Sequence, residues 1–416
     1  MKRRSFLKKG LGIAATTATF GGSSSLFQLN PLSANNNSDI IVIGAGVFGV
    51  WTAFYLQELG AKVRLIDAYG PGNSRASSGG ESRILRSDYG DRWMYSKMNI
   101  RAFELWDRWQ KEWGASFMYP TGRLKIGLGE NKEKLLKQQE GLKELGVSSE
   151  ILDHEELSYR WPQMDMEGIR SGMYFPGGKG GSTLMAREAI RIVGEQFVKR
   201  GGKLEIGKAE IGKSVGGKQD HILLNQKEKL SADTYIFACG PWTPRLFPEL
   251  FADKIKVFRR DVLFVGTAPG DDRYSYPNFP VWSLNIKEES QYYYGMPDIR
   301  ARGLKVAPWP DNNSINPDKD DRLVNTYELK RVRELITKRF PGLKDQPILE
   351  TRVCQLSLSS DEHFIIDRHP DMENVWFACA GSGHAFKHGP ALGEYISNRI
   401  FAGTRLPEYD NAFRLH

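Results

Sequence analysis

The chain has 416 residues, 40% of them hydrophobic and 26% charged, with 58 Lys/Arg against 50 Asp/Glu and three cysteines. An odd cysteine count excludes a fully paired disulfide framework, and the length suits one large or two interlocked domains. The charge of +8 is concentrated at the start. Residues 1–36 hold five Lys/Arg and no acid, which leaves 53 basic against 50 acidic residues and gives no reason to invoke nucleic acid.

That opening segment reads MKRRSFLKKG, then the mildly apolar LGIAATTATF, then a Gly/Ser stretch ending near Ser33-Ala34. A basic start, a short apolar middle and small residues at the end predict an export signal over residues 1–34. The paired Arg3-Arg4 point to the twin-arginine route and a periplasmic or exported destination. The apolar run is too short to span a bilayer stably.

From Asp39 the chain reads DIIVIGAGVFGVWTAFYLQELGAKVRLID. Ile40–Ile43 are a continuous β-branched run, as a doubly buried strand requires. Gly44, Gly46 and Gly49 follow at the spacing that permits a tight turn, close approach to a pyrophosphate and close helix–strand packing. Val50, Ala53, Phe54 and Leu56 give a helical face, Gly60 ends it, and the next strand stops at Asp67, placed to hold ribose hydroxyls. The whole unit predicts a dinucleotide site. It does not separate NAD from FAD.

After the RASSGGESR loop, a helix is expected over Trp93–Trp113, with Phe103, Trp106, Trp109 and Trp113 as a core stripe. A second is expected over Met185–Lys199, and YIFACGPWTP reads as a buried strand closing on a Gly-Pro turn. FPGGKGGST, residues 175–183, lacks phosphate-loop spacing and reads as turns. His363 and His369 have no thiol or carboxylate set around them at metal spacing, so no metal is expected. The fold class predicted is α/β, a Rossmann-type domain interleaved with a mixed-sheet α+β domain. Residues 37–117, 181–250 and 351–408 form the first, and 118–180 and 251–350 the second.

Near the end, VWFACA predicts a strand and GSGHAFKHGP a Gly-rich turn into a helix over Ala391–Phe401, aiming free backbone N–H groups forward. Cys354, in Thr-Arg-Val-Cys-Gln-Leu-Ser, sits in a polar segment after an arginine-bearing turn, away from Cys239 and Cys379.

GAGVFG with Asp67, GGESRILRSDYG, YYGMP followed by GLK, CQLSLSSDEHFIIDRHP and GSGHAFK together resemble the monomeric sarcosine oxidase and N-methyltryptophan oxidase family. These are flavin amine oxidases of the D-amino-acid oxidase superfamily. The resemblance covers almost the whole chain after the leader and implies FAD. It implies that Cys354 bonds through sulfur to the flavin 8α-methyl carbon, with Ser77, Gly381, Gly383 and His384 as further cofactor contacts. Arg86 and Lys387 match the pair that grips the substrate carboxylate. Arg83 matches an arginine against the flavin, Lys305 a lysine that assists oxygen reduction, and Tyr294 keeps its family match. Two positions depart from the pattern: Trp309 replaces a histidine and Leu356 an aromatic residue. Both stand where a small methylamine would be enclosed, so an apolar, rebuilt pocket is expected.

The resulting expectation is an exported FAD oxidase of a carboxylate-bearing amine, passing a hydride to flavin N5 and electrons to O₂. A flavin dehydrogenase serving a quinone or other carrier is the alternative. From another class come an NAD(P)-retaining exported oxidoreductase and a non-catalytic nucleotide-binding protein. The partners expected are the amine substrate, O₂ or another acceptor, and the twin-arginine translocase.

Overall fold

The computed structural model describes residues 38–128, 132–286, 291–309 and 314–416; the signal expected over residues 1–34 lies outside them. Asp39–Ile43 forms the strand its β-branched run predicts, parallel to Lys62–Asp67 on one side and Thr234–Phe237 on the other. Lys203–Ile206 and Val375–Cys379 extend this parallel sheet, and antiparallel Ile365–Arg368 closes one edge, making six strands.

The helix Val47–Glu58 packs on the helices Ala186–Lys199 and Gly389–Phe401. A Cβ at Gly389 would come within 2.7 Å of Val47 Cγ2, and one at Gly393 within 2.6 Å of the Trp51 backbone. Only glycine lets these helices approach so closely. The aromatic stripe of Trp93–Glu112 faces this core, where Trp106 meets Trp51 edge-on at 5.2 Å.

Two helix starts differ from expectation. Met185 ends the strand Ser182–Met185, which pairs with Ser82–Leu85 and takes Ser182 and Thr183 out of the expected turn stretch. The helix expected from Ala391 starts at Gly389, with Pro390 in its first turn, where no N–H is required.

The second sheet has eight strands, in the order Ile348–Ser359, Ile255–Val265, Leu304–Pro308, Gln291–Met296, Val281–Ile286, Arg123–Leu128, Ser171–Phe175 and Glu150–Asp153. Side chains alternate across it, as strand geometry dictates. Leu124, Trp282 and Leu284 enter a core with Val332, Ile336 and Phe340, while Arg123, Lys125, Ser283 and Asn285 face a cavity on the other side.

The expected domain boundary at residue 351 is corrected here. Ile348–Ser359 pairs with Ile255–Val265 from Val265↔Ile348 to Ile255↔Ser359, so the second sheet keeps the chain until Ser359. Cys354 is therefore in the middle of a long strand, not in a polar segment after a turn.

Candidate active site

A continuous cavity of about 1430 Å³ runs between the carboxyl ends of the parallel strands and the polar face of the eight-stranded sheet. That is the end of an α/β sheet where ligands bind, and the cavity is larger than the roughly 300–1,000 Å³ of an ordinary small-molecule pocket.

At one end the three motif glycines do separate work. Gly44 has φ +103°, and a Cβ there would strike the Ala238 carbonyl at 2.4 Å; a Cβ at Gly49 would strike the Gly44 carbonyl. Gly46 instead lines the cavity, with nothing nearer its Cβ position than Ser78 Oγ at 3.5 Å. A side chain there would fill space left for a ligand. Asp67 closes this end, accepting from the Ala45, Tyr69 and Gly70 N–H groups at 2.7–2.8 Å. Burial pushes its carboxyl above the usual range, against those hydrogen bonds. The cradle fits an adenine dinucleotide, with Gly46 giving room for the pyrophosphate and Asp67 meeting the ribose.

In the middle of the cavity stands Cys354, a free thiol. Its Sγ lies 3.3 Å from Arg83 Nη2 and 3.5 Å from the Ser77 carbonyl. Arg83 is held in turn by the Ser77 and Ser82 carbonyls, and the Ser77 hydroxyl donates to the Gln355 carbonyl at 2.5 Å. Ser77, Arg83 and Cys354 are thus one unit, built from a turn, a short strand and the long strand. Of the other cysteines, Cys379 is fully buried in its strand, its thiol pushed up to about 12 by burial. Cys239 lies at the Asp67 end, with its Sγ on the Ile43 carbonyl.

Lys305 does not line the large cavity. It is 2% exposed and lines an adjoining chamber of about 310 Å³ shared with Arg83 and Cys354. Its ammonium donates to the Ser82 carbonyl at 2.9 Å and lies 5.7 Å from the Tyr294 ring. Burial lowers its pKa to about 8, with Tyr294 working the other way. Burial pushes the Tyr294 hydroxyl up, but Lys305 and then Arg260 more than offset this, leaving it below its usual value.

At the far end Arg86 and Lys387 come together around Tyr89, which sequence reasoning did not single out. The Arg86 guanidinium lies 4.4 Å from the Tyr89 ring centre, and Lys387 Nζ donates to its hydroxyl at 3.0 Å. The same hydroxyl reaches His388 Nε2 at 2.8 Å and His384 Nδ1 at 3.4 Å. His384 lines the cavity but is also tied to the Glu362 carbonyl and packed on Phe364. Burial, then the neighbouring Arg86, pulls Lys387 well below the ordinary lysine value. Gly381 and Gly383 line the cavity in a turn where Ala380, Ser382 and Gly383 all have positive φ, a conformation costly for the two non-glycines.

Asp88 joins this end, pairing with both Arg86 and the buried Arg123. Burial pushes the Asp88 carboxyl up, yet Arg123 and then Arg86 reverse this and leave it at about 2. The expectation of apolar walls is corrected here: Trp309 and Leu356 both come within 4.0 Å of the Cβ position of Gly383, but the Trp309 ring lies 4.2 Å from the Arg260 guanidinium. Arg123 could have been suspected from TGRLKIGL, since charged residues in a strand's alternation mark the face turned from the apolar core, whereas Asp88 lies in the loop after Ser82–Leu85 and has no such cue. Arg260 follows Arg259 with no sequence cue to which faces the cavity.

FPGGKGGST serves this end structurally. A Cβ at Gly181 would meet the Arg123 backbone nitrogen at 2.6 Å, and the Lys179 carbonyl accepts from Ser87, next to Asp88.

A family model described as FAD dependent oxidoreductase matches residues 39–399. Monomeric sarcosine oxidase of Bacillus sp. (strain B-0618) is 28% identical over 88% of this chain and 92% of its own. Human peroxisomal sarcosine oxidase is 28% identical over 91% and 95%, and N-methyl-L-tryptophan oxidase of Salmonella arizonae 25% over 91% and 98%. Among solved structures, a fructosyl peptide oxidase superposes with a TM-score of 0.77 at 20% identity, covering 91% of this chain and 93% of that one. L-Proline dehydrogenase from P. horikoshii gives 0.76 at 20%, over 91% and 99%.

Proposed function

The chain belongs to the FAD dependent oxidoreductase family, and on that premise we propose that it oxidises an amine bearing a carboxylate, with O₂ as electron acceptor. The observation that carries this reading is the joining of Arg86 and Lys387 around Tyr89 at the end of the cavity opposite the Gly46–Asp67 cradle. The names of the sarcosine and N-methyltryptophan oxidases among its relatives point the same way. FAD, when bound, supplies the acceptor at N5 for a hydride from the carbon beside the amine nitrogen, and the electron pair leaves on oxygen as H₂O₂.

The chain's own groups do the rest. Arg86 and Lys387 take the carboxylate, a planar fork beside a point charge, and so fix which carbon faces the ring. Tyr294, Leu356 and Trp309 bound the amine end. Protonated Lys305, in its chamber behind Arg83, stabilises negative charge developing during oxygen reduction.

Cys354 is assigned as the covalent anchor through a thioether, which would hold the cofactor and raise its potential. It is a free thiol opening on the cavity, beside a cation. The leader is assigned to twin-arginine export, a route for folded proteins, so FAD would be loaded before the chain leaves the cytoplasm. Arg3→Lys with Arg4→Lys should then retain the yellow protein inside the cell.

The test of the function is stoichiometry. Aerobic turnover should yield one H₂O₂ per amine oxidised. Turnover with a quinone or dye but no peroxide in air would favour the dehydrogenase reading instead.

A further inference from the structure

Two successive arginines on the strand Ile255–Val265 meet opposite surroundings. Arg259 faces carboxylates: Asp261 at 3.1 Å, Asp320 at 3.2 Å and Asp321 at 3.6 Å. Arg260 points to the other face, lines the large cavity and is 6% exposed. There it meets two aromatic residues, with its guanidinium carbon 4.2 Å from the Trp309 centroid and 5.2 Å from that of Tyr294, and it also acts on the Tyr294 hydroxyl, helping to hold it below its usual value. Its Nε and Nη2 are buried without a hydrogen-bond partner, and no carboxylate among the described residues pairs with it.

Ring faces attract a cation but do not accept its in-plane N–H groups. A guanidinium buried with idle donors is costly unless an anion completes it. The position says where such an anion would come from. Arg86, Lys387, Tyr292, Trp309 and Arg260 all line the same cavity, and the Tyr292 ring meets Trp309 edge-on at 6.0 Å. A ligand held by Arg86 and Lys387 therefore shares its cavity with Arg260. Trp309, 39% exposed, lies against the guanidinium that carries the idle N–H groups.

We propose that Arg260 reads a second carboxylate, so that the substrate is a dicarboxylic amine, with one acid group at Arg86 and Lys387 and the other across the amine at Arg260. This rests on the amine-oxidase reading of the same site and names its substrate class.

The test is anaerobic titration of the FAD-loaded protein with iminodiacetate and N-methyl-L-glutamate, against sarcosine and N-methyl-L-leucine. Ligand-induced shifts of the flavin spectrum report binding, and bleaching reports oxidation. The dicarboxylates should bind at least about ten-fold more tightly than either monocarboxylate, as expected for one charged contact. Arg260→Gln should abolish that margin between dicarboxylates and monocarboxylates, and Arg260→Lys should keep part of it. No dicarboxylate preference in the wild type, or one that survives in Arg260→Gln, would overturn the proposal. Preferential binding of dicarboxylates without bleaching would uphold Arg260 and count against the oxidase reading alone.

Discussion

Arg83 Nη2 lies 3.3 Å from Cys354 Sγ, although 271 residues separate them in the chain. A short strand after the first βαβ unit and a long strand of the second sheet have been brought together to put a cation beside a free thiol. If this pair is the flavin anchor, denatured protein should stay yellow in its acid pellet. Cys354→Ala should release flavin to the supernatant, and Cys239→Ala and Cys379→Ala should not. Flavin wholly in the wild-type supernatant would remove the assigned role.

Lys305 allows a pH prediction. Its pKa is lowered to about 8 by burial, so the ammonium is present below that pH and lost above it. Reoxidation of reduced flavin by O₂ should therefore slow as pH rises through about 8. Lys305→Met should slow it by orders of magnitude at every pH and flatten the profile, with anaerobic reduction nearly unchanged. Equal losses in both half-reactions would place Lys305 in substrate binding or in the fold.

Asp88 holds two arginines and should matter to stability. Asp88→Asn leaves the buried Arg123 uncompensated, at a cost of about 3–5 kcal/mol, read as a lower denaturant midpoint. The wild-type pair also has a sign. A carboxyl held at about 2 contributes stability that is complete above its unfolded pKa of roughly 3.9, and that stability is lost as pH falls towards 2. Asp88→Asn should remove that acid-sensitive component. A variant as stable as the wild type at neutral pH would show that Asp88 is dispensable to the fold.

Arg86→Ala should weaken a carboxylate-bearing substrate by about 2–3 kcal/mol, as loss of a charged hydrogen bond does. A decarboxylated analogue should lose little further affinity in the variant. Asp88 keeps Arg123 as partner in Arg86→Ala, so a general collapse of the site is not expected, and a thermal melt checks this.

The first βαβ unit was fully legible because local rules decide it: a β-branched run, three glycines with separate steric duties, and an acid at a strand end. Burial of Trp106 and Trp109 was legible from helical spacing. The second sheet was not. Ile255–Val265 pairs with a strand some ninety residues later, and no local pattern announces that partner or carries the sheet past residue 351. The same gap hid the chemistry. Which of Arg259 and Arg260 faces the cavity depends on strand phase, and Asp88 gains its importance only when Arg123 arrives from another sheet.

The most direct test of the central claim is anaerobic mixing of the FAD-loaded protein with carboxylate-bearing secondary amines, followed by admission of air. The flavin colour should bleach with the amino acids, far less with their decarboxylated analogues, and return in air with one H₂O₂ per flavin. Bleaching by simple amines as readily as by amino acids would contradict the carboxylate grip of Arg86 and Lys387, and no bleaching by any amine would contradict the oxidase itself.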